Sequence, residues 1–259
     1  MLLKDKVIVI AGVGDGVGRS LALRATAQGA RAVLVGRTAS RLEAIAAEVR
    51  AQGGTAEPVI CDLSSMADCR RVADTAMAKF GAIDGLAMVA YRPPDQKSLE
   101  ECDDDFAEWR EVMDFNVFAT LNIIKAVSPK MVSGGSIAIV NSMTSHLQWP
   151  LLAPYAAAKA ALASYVRTLA LEFGPRGIRI NGMHAGGIAN ASAEAYIHLL
   201  AERFGRTVEE QRALNVATYP LGYLPPPDQY ADALIYLLSD LSAAMTGQGM
   251  HVNGGHYMH

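Results

Sequence analysis

The chain has 259 residues, 51% hydrophobic and 19% charged, which is enough for one large domain or two small ones. Its 23 basic and 26 acidic residues give a net charge of −3, which argues against nucleic acid or an anionic membrane as a partner. No run of about 20 apolar residues is free of charge and turn residues, so no transmembrane helix is expected. The opening Met1–Lys6 runs straight into a strand-like segment without an apolar stretch and cleavage site, so no secretory signal is expected either. The cysteines are Cys61, Cys69 and Cys102, odd in number and without metal-ligand spacing. They read as reduced thiols of a cytoplasmic protein.

Strand-like and helix-like segments alternate along the chain. Short apolar runs at 7–10, 32–35, 55–61, 83–90, 136–140 and 178–183 read as strands. Helical patterns at 17–28, 40–51, 66–80, 106–132 and 154–173 separate them, most closed by glycine. Apolar runs without alternation indicate a parallel sheet buried on both faces. The expected fold class is α/β: one domain over 1–259, a doubly wound parallel sheet (a Rossmann fold) with helices on both faces. After the sixth strand the pattern changes. Helices are expected at 191–204 and 208–216, then the proline-rich stretch Tyr219–Pro227, a helix at 230–238 and a last strand at 249–252. The insertion at about 187–226 lies past a strand's carboxyl end, where such sheets bind ligands, and reads as a lid and substrate wall.

The first strand runs into Gly12, Gly14, Gly16 and Gly18. The spacing G-x-x-x-G-x-G, on Gly12, Gly16 and Gly18, suits a tight turn and close backbone approach to a pyrophosphate. The following helix N-terminus offers free N–H groups to that anion. At the end of the second strand, where an acid for a ribose 2′-hydroxyl usually stands, this chain has Arg37, with Arg41 close behind. An arginine attracts a 2′-phosphate, so NADP(H) is favoured, with NAD(H) as the alternative. Asp15 inside the loop works against that preference. Asp62, closing the third strand, reads as an acceptor for the adenine amino group or as an N-cap.

Tyr155 and Lys159 lie one helical turn apart on one face. An ammonium beside a phenol favours the phenolate, and a usable acid/base at neutral pH needs roughly 4 kcal/mol of that preference.

Together these residues resemble the short-chain dehydrogenase/reductase family along nearly the whole chain. The likeness rests on Gly12, Gly16 and Gly18, Asp62, Asn116, Ser142 thirteen residues before Tyr155, Lys159, Pro220–Gly222 and the glycines from Gly247 to Gly255. It implies a catalytic set of Asn116, Ser142, Tyr155 and Lys159. Tyr155 would exchange a proton with the substrate oxygen and Ser142 would bond the same oxygen. Lys159 would hold the nicotinamide ribose and lower the Tyr155 pKa, and Asn116 would hold a water leading from Lys159 to solvent. The resemblance also implies cofactor contacts from Gly12, Gly16, Val17, Gly18, Arg37, Asp62, Leu63, Ala90, Tyr155, Lys159, Gly186, Ile188 and Asn190, and no metal.

The chain departs from the family pattern at Met88–Tyr91, where Asn-Asn-Ala-Gly is usual, at Ala185-Gly186, where Pro-Gly is usual, at Asn190, where threonine is usual, and at Ala11. The substrate pocket is expected from Tyr91, Met143, His146, Trp149, His184 and Tyr196, with Arg92 and Gln148 as further candidates. Such a wall suits an apolar, ring-containing alcohol or ketone. His146 and His184 are read either as bonding a second polar group or as satisfied near-core histidines. His251, His256 and His259 do not read as metal ligands. A 3-oxoacyl-thioester reductase is the alternative enzyme, and a non-catalytic dinucleotide-binding sensor or scaffold is the alternative of another kind. The resemblance implies a homotetramer, with Ala156, Ala160, Ala163 and Ala170 allowing close helix approach.

Overall fold

Short apolar runs joined by helices bury both faces of a sheet when the strands run parallel. The computed structural model, which describes residues 1–258, has that arrangement. Its strands are β1 (Val7–Ala11), β2 (Arg31–Gly36), β3 (Thr55–Ile60), β4 (Gly85–Met88), β5 (Ser136–Ser142), β6 (Arg179–Ala185) and β7 (Gly249–Val252). They form one 7-stranded sheet in the order β3-β2-β1-β4-β5-β6-β7, every neighbouring pair parallel. The order reverses between β1 and β4, and the carboxyl ends of the strands around that point hold the site described below. Pro58 cannot donate to a ladder, and it is tolerated because β3 is an edge strand.

The strands feed helices α1 (Val17–Ala27), α2 (Ala39–Ala51), α3 (Met66–Phe80), α4 (Ala107–Met113), α5 (Thr120–Val127), α6 (Ala153–Phe173), α7 (Ala191–Arg203), α8 (Val208–Ala217) and α9 (Pro227–Leu238). β1 shows why both faces are covered. Val7, Val9 and Ala11 enter one core with residues of α3, α5 and α6, whereas Ile8 and Ile10 enter the other with α1, α2 and α9. Each buried valine or isoleucine among them contributes about 1.5–3 kcal/mol of burial. Helix ends follow local chemistry: Ser65 caps α3 by accepting from the Asp68 N–H, and Gly81 ends it at φ +76°.

Two expectations need correction. The helix expected over 106–132 is not continuous. α4 passes into a π-helical stretch at Asp114–Ala119, then α5, then a 3₁₀ turn at Ser128–Lys130. The Asn116 side chain bonds back to the Val112 carbonyl at 2.9 Å and Thr120 Oγ1 bonds the Asn116 carbonyl at 2.7 Å, so side chains compete with the regular ladder there. On α6, Ala163 and Ala170 are buried in the chain's own core. The solvent-facing stripe is instead Ala157, Ala160, Ser164, Thr168 and Leu171.

Candidate active site

The glycine loop splits into two kinds of position. Gly12, at φ +105°, lies so close to the fourth strand's exit that a Cβ would sit 2.2 Å from the Ala90 nitrogen. A Cβ on Gly18 would sit 2.4 Å from the Gly12 carbonyl oxygen. Both glycines therefore serve packing. At Gly14 and Gly16 a Cβ would meet nothing within 4 Å, so the backbone there faces open space. Gly16 caps α1 without a side-chain bond, and no acid stands in that helix's first turn. An open backbone cradle at an uncapped helix N-terminus fits a pyrophosphate. Asp15, the acid inside the loop, pairs with Arg41 at 3.4 Å. Arg37 is exposed at the end of β2, its guanidinium 6.0 Å from the centre of the Phe115 ring. Asp62 Oδ1 accepts from the Ser64 N–H at 2.9 Å, while Ser65 is the N-cap of α3. Leu63 is buried, its carbonyl held by Asn122 at 3.1 Å.

Ser142 ends β5, and Tyr155 and Lys159 stand on the first turns of α6. All three line one cavity at the carboxyl end of the sheet. The Lys159 Nζ lies 5.5 Å from the Tyr155 ring centre and donates to the Val140 carbonyl at 2.9 Å. Lys159 is buried, and burial lowers its pKa to about 7. In the cofactor-free protein the lysine alone does not depress the tyrosine. Burial first, then the neighbouring Tyr91, push the Tyr155 phenol upward, and the Ser142 hydroxyl only partly offsets them. With a pKa near 7 the lysine is charged only part of the time at neutral pH and is a weaker source of positive field than an ordinary lysine, so without cofactor the tyrosine keeps its proton.

Asn116 does not line the cavity. Its amide donates to the Arg92 carbonyl at 2.8 Å and accepts from the Arg92 N–H at 3.1 Å. With the second N–H on Val112, the side chain clamps the segment after β4 rather than offering itself to a water. Arg92 itself pairs with Glu111. The unusual Met88–Tyr91 segment closes well: the Val89 and Ala90 N–H groups both donate to the Ala11 carbonyl, at 2.8 and 3.0 Å. Tyr91 then meets Tyr155 edge-on at 6.2 Å.

After β6, Gly186 packs against Asn253, where a Cβ would meet the Cα at 2.9 Å. Two tyrosines that the sequence reading missed pin the next residue: the Gly187 N–H donates to the Tyr219 hydroxyl at 2.8 Å, and Tyr230 donates to the Gly187 carbonyl at 3.0 Å. Ile188 and Asn190 line the cavity. Asn190 also caps α7, accepting from the Ala193 N–H at 3.0 Å.

The cavity measures about 330 Å³. Tyr91, Met143, Trp149 and Tyr196 line it as expected, and α7, α8 and the 218–224 stretch supply one wall. Lys159 is its one ionisable aliphatic side chain, and no Asp, Glu or Arg lines it. His146, His184 and Gln148 do not line it, and this corrects the two histidine assignments. His184 is buried, with Nδ1 2.9 Å from Ser145 Oγ and 3.2 Å from the Ser142 carbonyl oxygen. Its ring lies 4.9 Å from those of both His146 and His251, and Tyr257 stacks on His146 at 5.4 Å. Burial lowers the His184 pKa to about 4, so these rings pack behind Ser142 with His184 neutral. Asn215, Thr218 and Tyr219 line the cavity from within the 187–226 stretch expected as its wall, though not named singly, and His256 lines it from outside that stretch. Among the described residues no group of three or more His, Cys, Asp or Glu is placed to hold a metal ion, and His259 lies outside them.

A family model described as enoyl-(acyl carrier protein) reductase matches residues 12–257. The 3β-hydroxysteroid dehydrogenase 1 of Eggerthella lenta is 33% identical, over 98% of this chain and 94% of its own. The dehydrogenase/reductase SDR family member 4 of Bos taurus is 29% identical, over 99% of this chain and 89% of its own. The crystal structure of an NAD+-bound xylitol dehydrogenase superposes with a TM-score of 0.92 at 25% identity, covering 98% of this chain and 100% of that one. With the glycine cradle, the parallel sheet and this breadth of match, the chain belongs to the short-chain dehydrogenase/reductase family of NAD(P)-dependent oxidoreductases acting on CH–OH groups.

Proposed function

We propose that the protein is an NADP(H)-dependent oxidoreductase that interconverts a secondary alcohol and a ketone on an uncharged, apolar, ring-bearing substrate. One observation carries this reading: Ser142, Tyr155 and Lys159 line a single cavity whose remaining wall is mostly aromatic and aliphatic. A bound dinucleotide supplies or accepts the hydride at nicotinamide C4. In the reducing direction Tyr155 gives its proton to the carbonyl oxygen, and burial keeps it in the protonated form that this step needs. Ser142 bonds the same oxygen and holds the charge that develops there. Lys159 would hold the nicotinamide ribose, and its pKa near 7 suits it to pass a proton onward at neutral pH. Asn116 acts one step back, by fixing the backbone beside Tyr91.

Arg37 supports NADP(H), since it is exposed at the ribose end of the cradle, and the loop's own acid is held by Arg41. NAD(H) remains the second cofactor. We read residues 187–226 as a lid. A 3-oxoacyl-thioester reductase working on a carrier protein wants free cations on the lid, but Arg203 of α7 and Arg212 of α8 are paired with Glu101 and Glu194. We place the protein in the cytoplasm on its free, mostly buried cysteines. A homotetramer is supported by the small-residue stripe of α6 and by Phe118 and Leu171, 54% and 79% exposed. Light scattering at micromolar concentration tests it, and a monomer rejects it. Among the described residues no helix is long and apolar enough to cross a membrane.

The test of the activity is a titration with NADPH and NADH, followed by turnover of a panel of cyclic and aryl ketones. Tight NADPH binding with turnover is expected. A preference for NADH removes Arg37 as the selector. Cofactor binding without turnover of any ketone, alcohol or acyl thioester removes the enzyme reading in favour of a non-catalytic sensor.

A further inference from the structure

The wall formed by the lid and the C-terminal segment contains a chain of hydrogen bonds whose directions are fixed by groups that can only donate or only accept. Arg206 donates to Gln211 Oε1 at 2.9 Å, and a guanidinium has no acceptor, so the other end of the Gln211 amide is its NH₂. That NH₂ donates to Asn215 Oδ1 at 2.8 Å, which leaves Asn215 Nδ2 as the free end of its amide. Gln211, the middle of this relay, is buried, while Arg206 at one end is exposed and Asn215 at the other is half-buried.

A second chain fixes the histidine. The Thr218 hydroxyl lies 2.7 Å from the Asn215 backbone carbonyl, which can only accept, so the hydroxyl proton points there. Thr218 Oγ1 lies 3.1 Å from His256 Nδ1. With its one proton committed, Oγ1 accepts, and Nδ1 carries the hydrogen. Burial lowers the His256 pKa, so the ring is neutral and Nε2 is a bare acceptor. Trp149 and Tyr219 meet the imidazole edge-on at 5.2 and 4.5 Å and hold its plane. Asn215, Thr218 and His256 all line the cavity, and among the described residues neither Asn215 Nδ2 nor His256 Nε2 has a hydrogen-bond partner.

A free donor, its amide held by Gln211, and a free acceptor, its ring held by Thr218, stand on one cavity wall where Thr218 also bonds the Asn215 backbone, and they match one chemical group that is itself donor and acceptor. We propose that Asn215 Nδ2 and His256 Nε2 form a subsite that recognises a second, non-reacting hydroxyl on the substrate. This rests on the oxidoreductase reading of the same cavity and narrows the substrate class. The substrate is an uncharged ring compound carrying the reacting carbonyl or alcohol and a further hydroxyl. An ether oxygen satisfies Asn215 but leaves Nε2 unpaired, and an unfunctionalised ring leaves both unpaired, so each binds less well.

The test uses binding and turnover together. Two scaffolds, a ketosteroid and an aryl cyclohexanone, are each prepared with a free hydroxyl remote from the ketone, as the O-methyl ether, and with neither. Binding to the NADP⁺-loaded protein is followed by Trp149 fluorescence in a Trp109→Phe background, because Trp149 touches His256 and the chain has 2 tryptophans. On at least one scaffold, the hydroxyl form binds about tenfold more tightly than its ether. His256→Phe, which keeps a flat ring between Trp149 and Tyr219, brings that ratio close to one. Thr218→Val keeps the imidazole but frees its tautomer and lowers the ratio too, and Thr218→Ser restores it. Equal affinity for hydroxyl and ether in the unmodified protein, a ratio unmoved by His256→Phe, or no binding of any form would overturn the subsite. Binding that follows the expected pattern without turnover supports the subsite while overturning the oxidoreductase reading.

Discussion

The two ends of the site are built by different means. At the amino-terminal end the cradle is backbone: Gly14 and Gly16 face open space, and Gly12 and Gly18 let strand, loop and helix pack to distances that no side chain permits. At the carboxyl-terminal end the cavity is side chain, assembled from segments as distant as Tyr91 and His256. The first kind of site recognises what is constant, a pyrophosphate, through N–H groups that every residue but proline has. The second recognises what differs among substrates, and it needs particular atoms held by neighbours. Substitutions at the two ends should therefore fail in different ways.

The largest effect belongs to the point where the ends meet. Tyr155→Phe removes the proton donor and leaves the ring that packs on Tyr91. Turnover should fall by about a thousandfold in steady-state assays, while the NADPH dissociation constant moves less than about threefold. Near-full activity in that variant would remove Tyr155 from the mechanism.

Lys159 is next, read through stability rather than rate. Its folded pKa, about 7, lies below the ordinary lysine value of 10.5, so between those limits the unfolded chain binds the extra proton. Below pH 7 the buried amine is charged and the desolvation cost is fully present. As pH rises towards 10.5 the cost disappears. Lys159→Met should therefore be more stable than the unmodified protein at pH 6.5, by a few kcal/mol in the cofactor-free state, with the gap closing by pH 10. Chemical denaturation at the two pH values checks this, and a gap that stays constant would deny the burial penalty.

The backbone end gives a paired prediction. Gly12→Ala puts a methyl 2.2 Å from the Ala90 nitrogen at a positive φ, so it should cost about 2–4 kcal/mol of stability. Gly16→Ala meets nothing and should leave the unfolding free energy within about 0.5 kcal/mol while weakening cofactor binding. If both variants lose only affinity, the division between packing and cradle glycines is wrong. Arg37→Ala comes after these, with an expected loss of about tenfold for NADPH and little for NADH, shrinking in high salt.

The backbone end was legible in the sequence because its requirements are conformational. A glycine spacing between a strand and a helix states a geometry, and Arg37 follows the second strand by counting. Tyr155 and Lys159 were legible because helical periodicity fixes which residues share a face. The side-chain end was legible only in part. His184 has the right chemistry in the right strand, but neighbouring residues in a strand point to opposite faces. Ala185 lines the cavity, so His184 turns away from it and packs behind Ser142. Asn215 and His256 become a pair only through Thr218, and nothing local to either residue records that meeting. The clamp that Asn116 puts on the segment after β4 was hidden for a similar reason, since its bonds to Arg92 reach across 24 positions of sequence.

The smallest effect falls on Asn190, which stands between the two ends and has two jobs to separate. Its side-chain oxygen caps α7 through the Ala193 N–H, so Asn190→Ala should cost about 1 kcal/mol, read as a melting temperature lower by roughly 2–4 °C. The amide nitrogen is left over, and that is the atom with which Asn190 would hold a nicotinamide carboxamide. Serine caps a helix as well as asparagine does but has no amide. Asn190→Ser should thus recover the melting temperature without recovering cofactor affinity. Recovery of both would make Asn190 a helix cap alone, and the carboxamide would then have to find its partner among the backbone groups that follow β6.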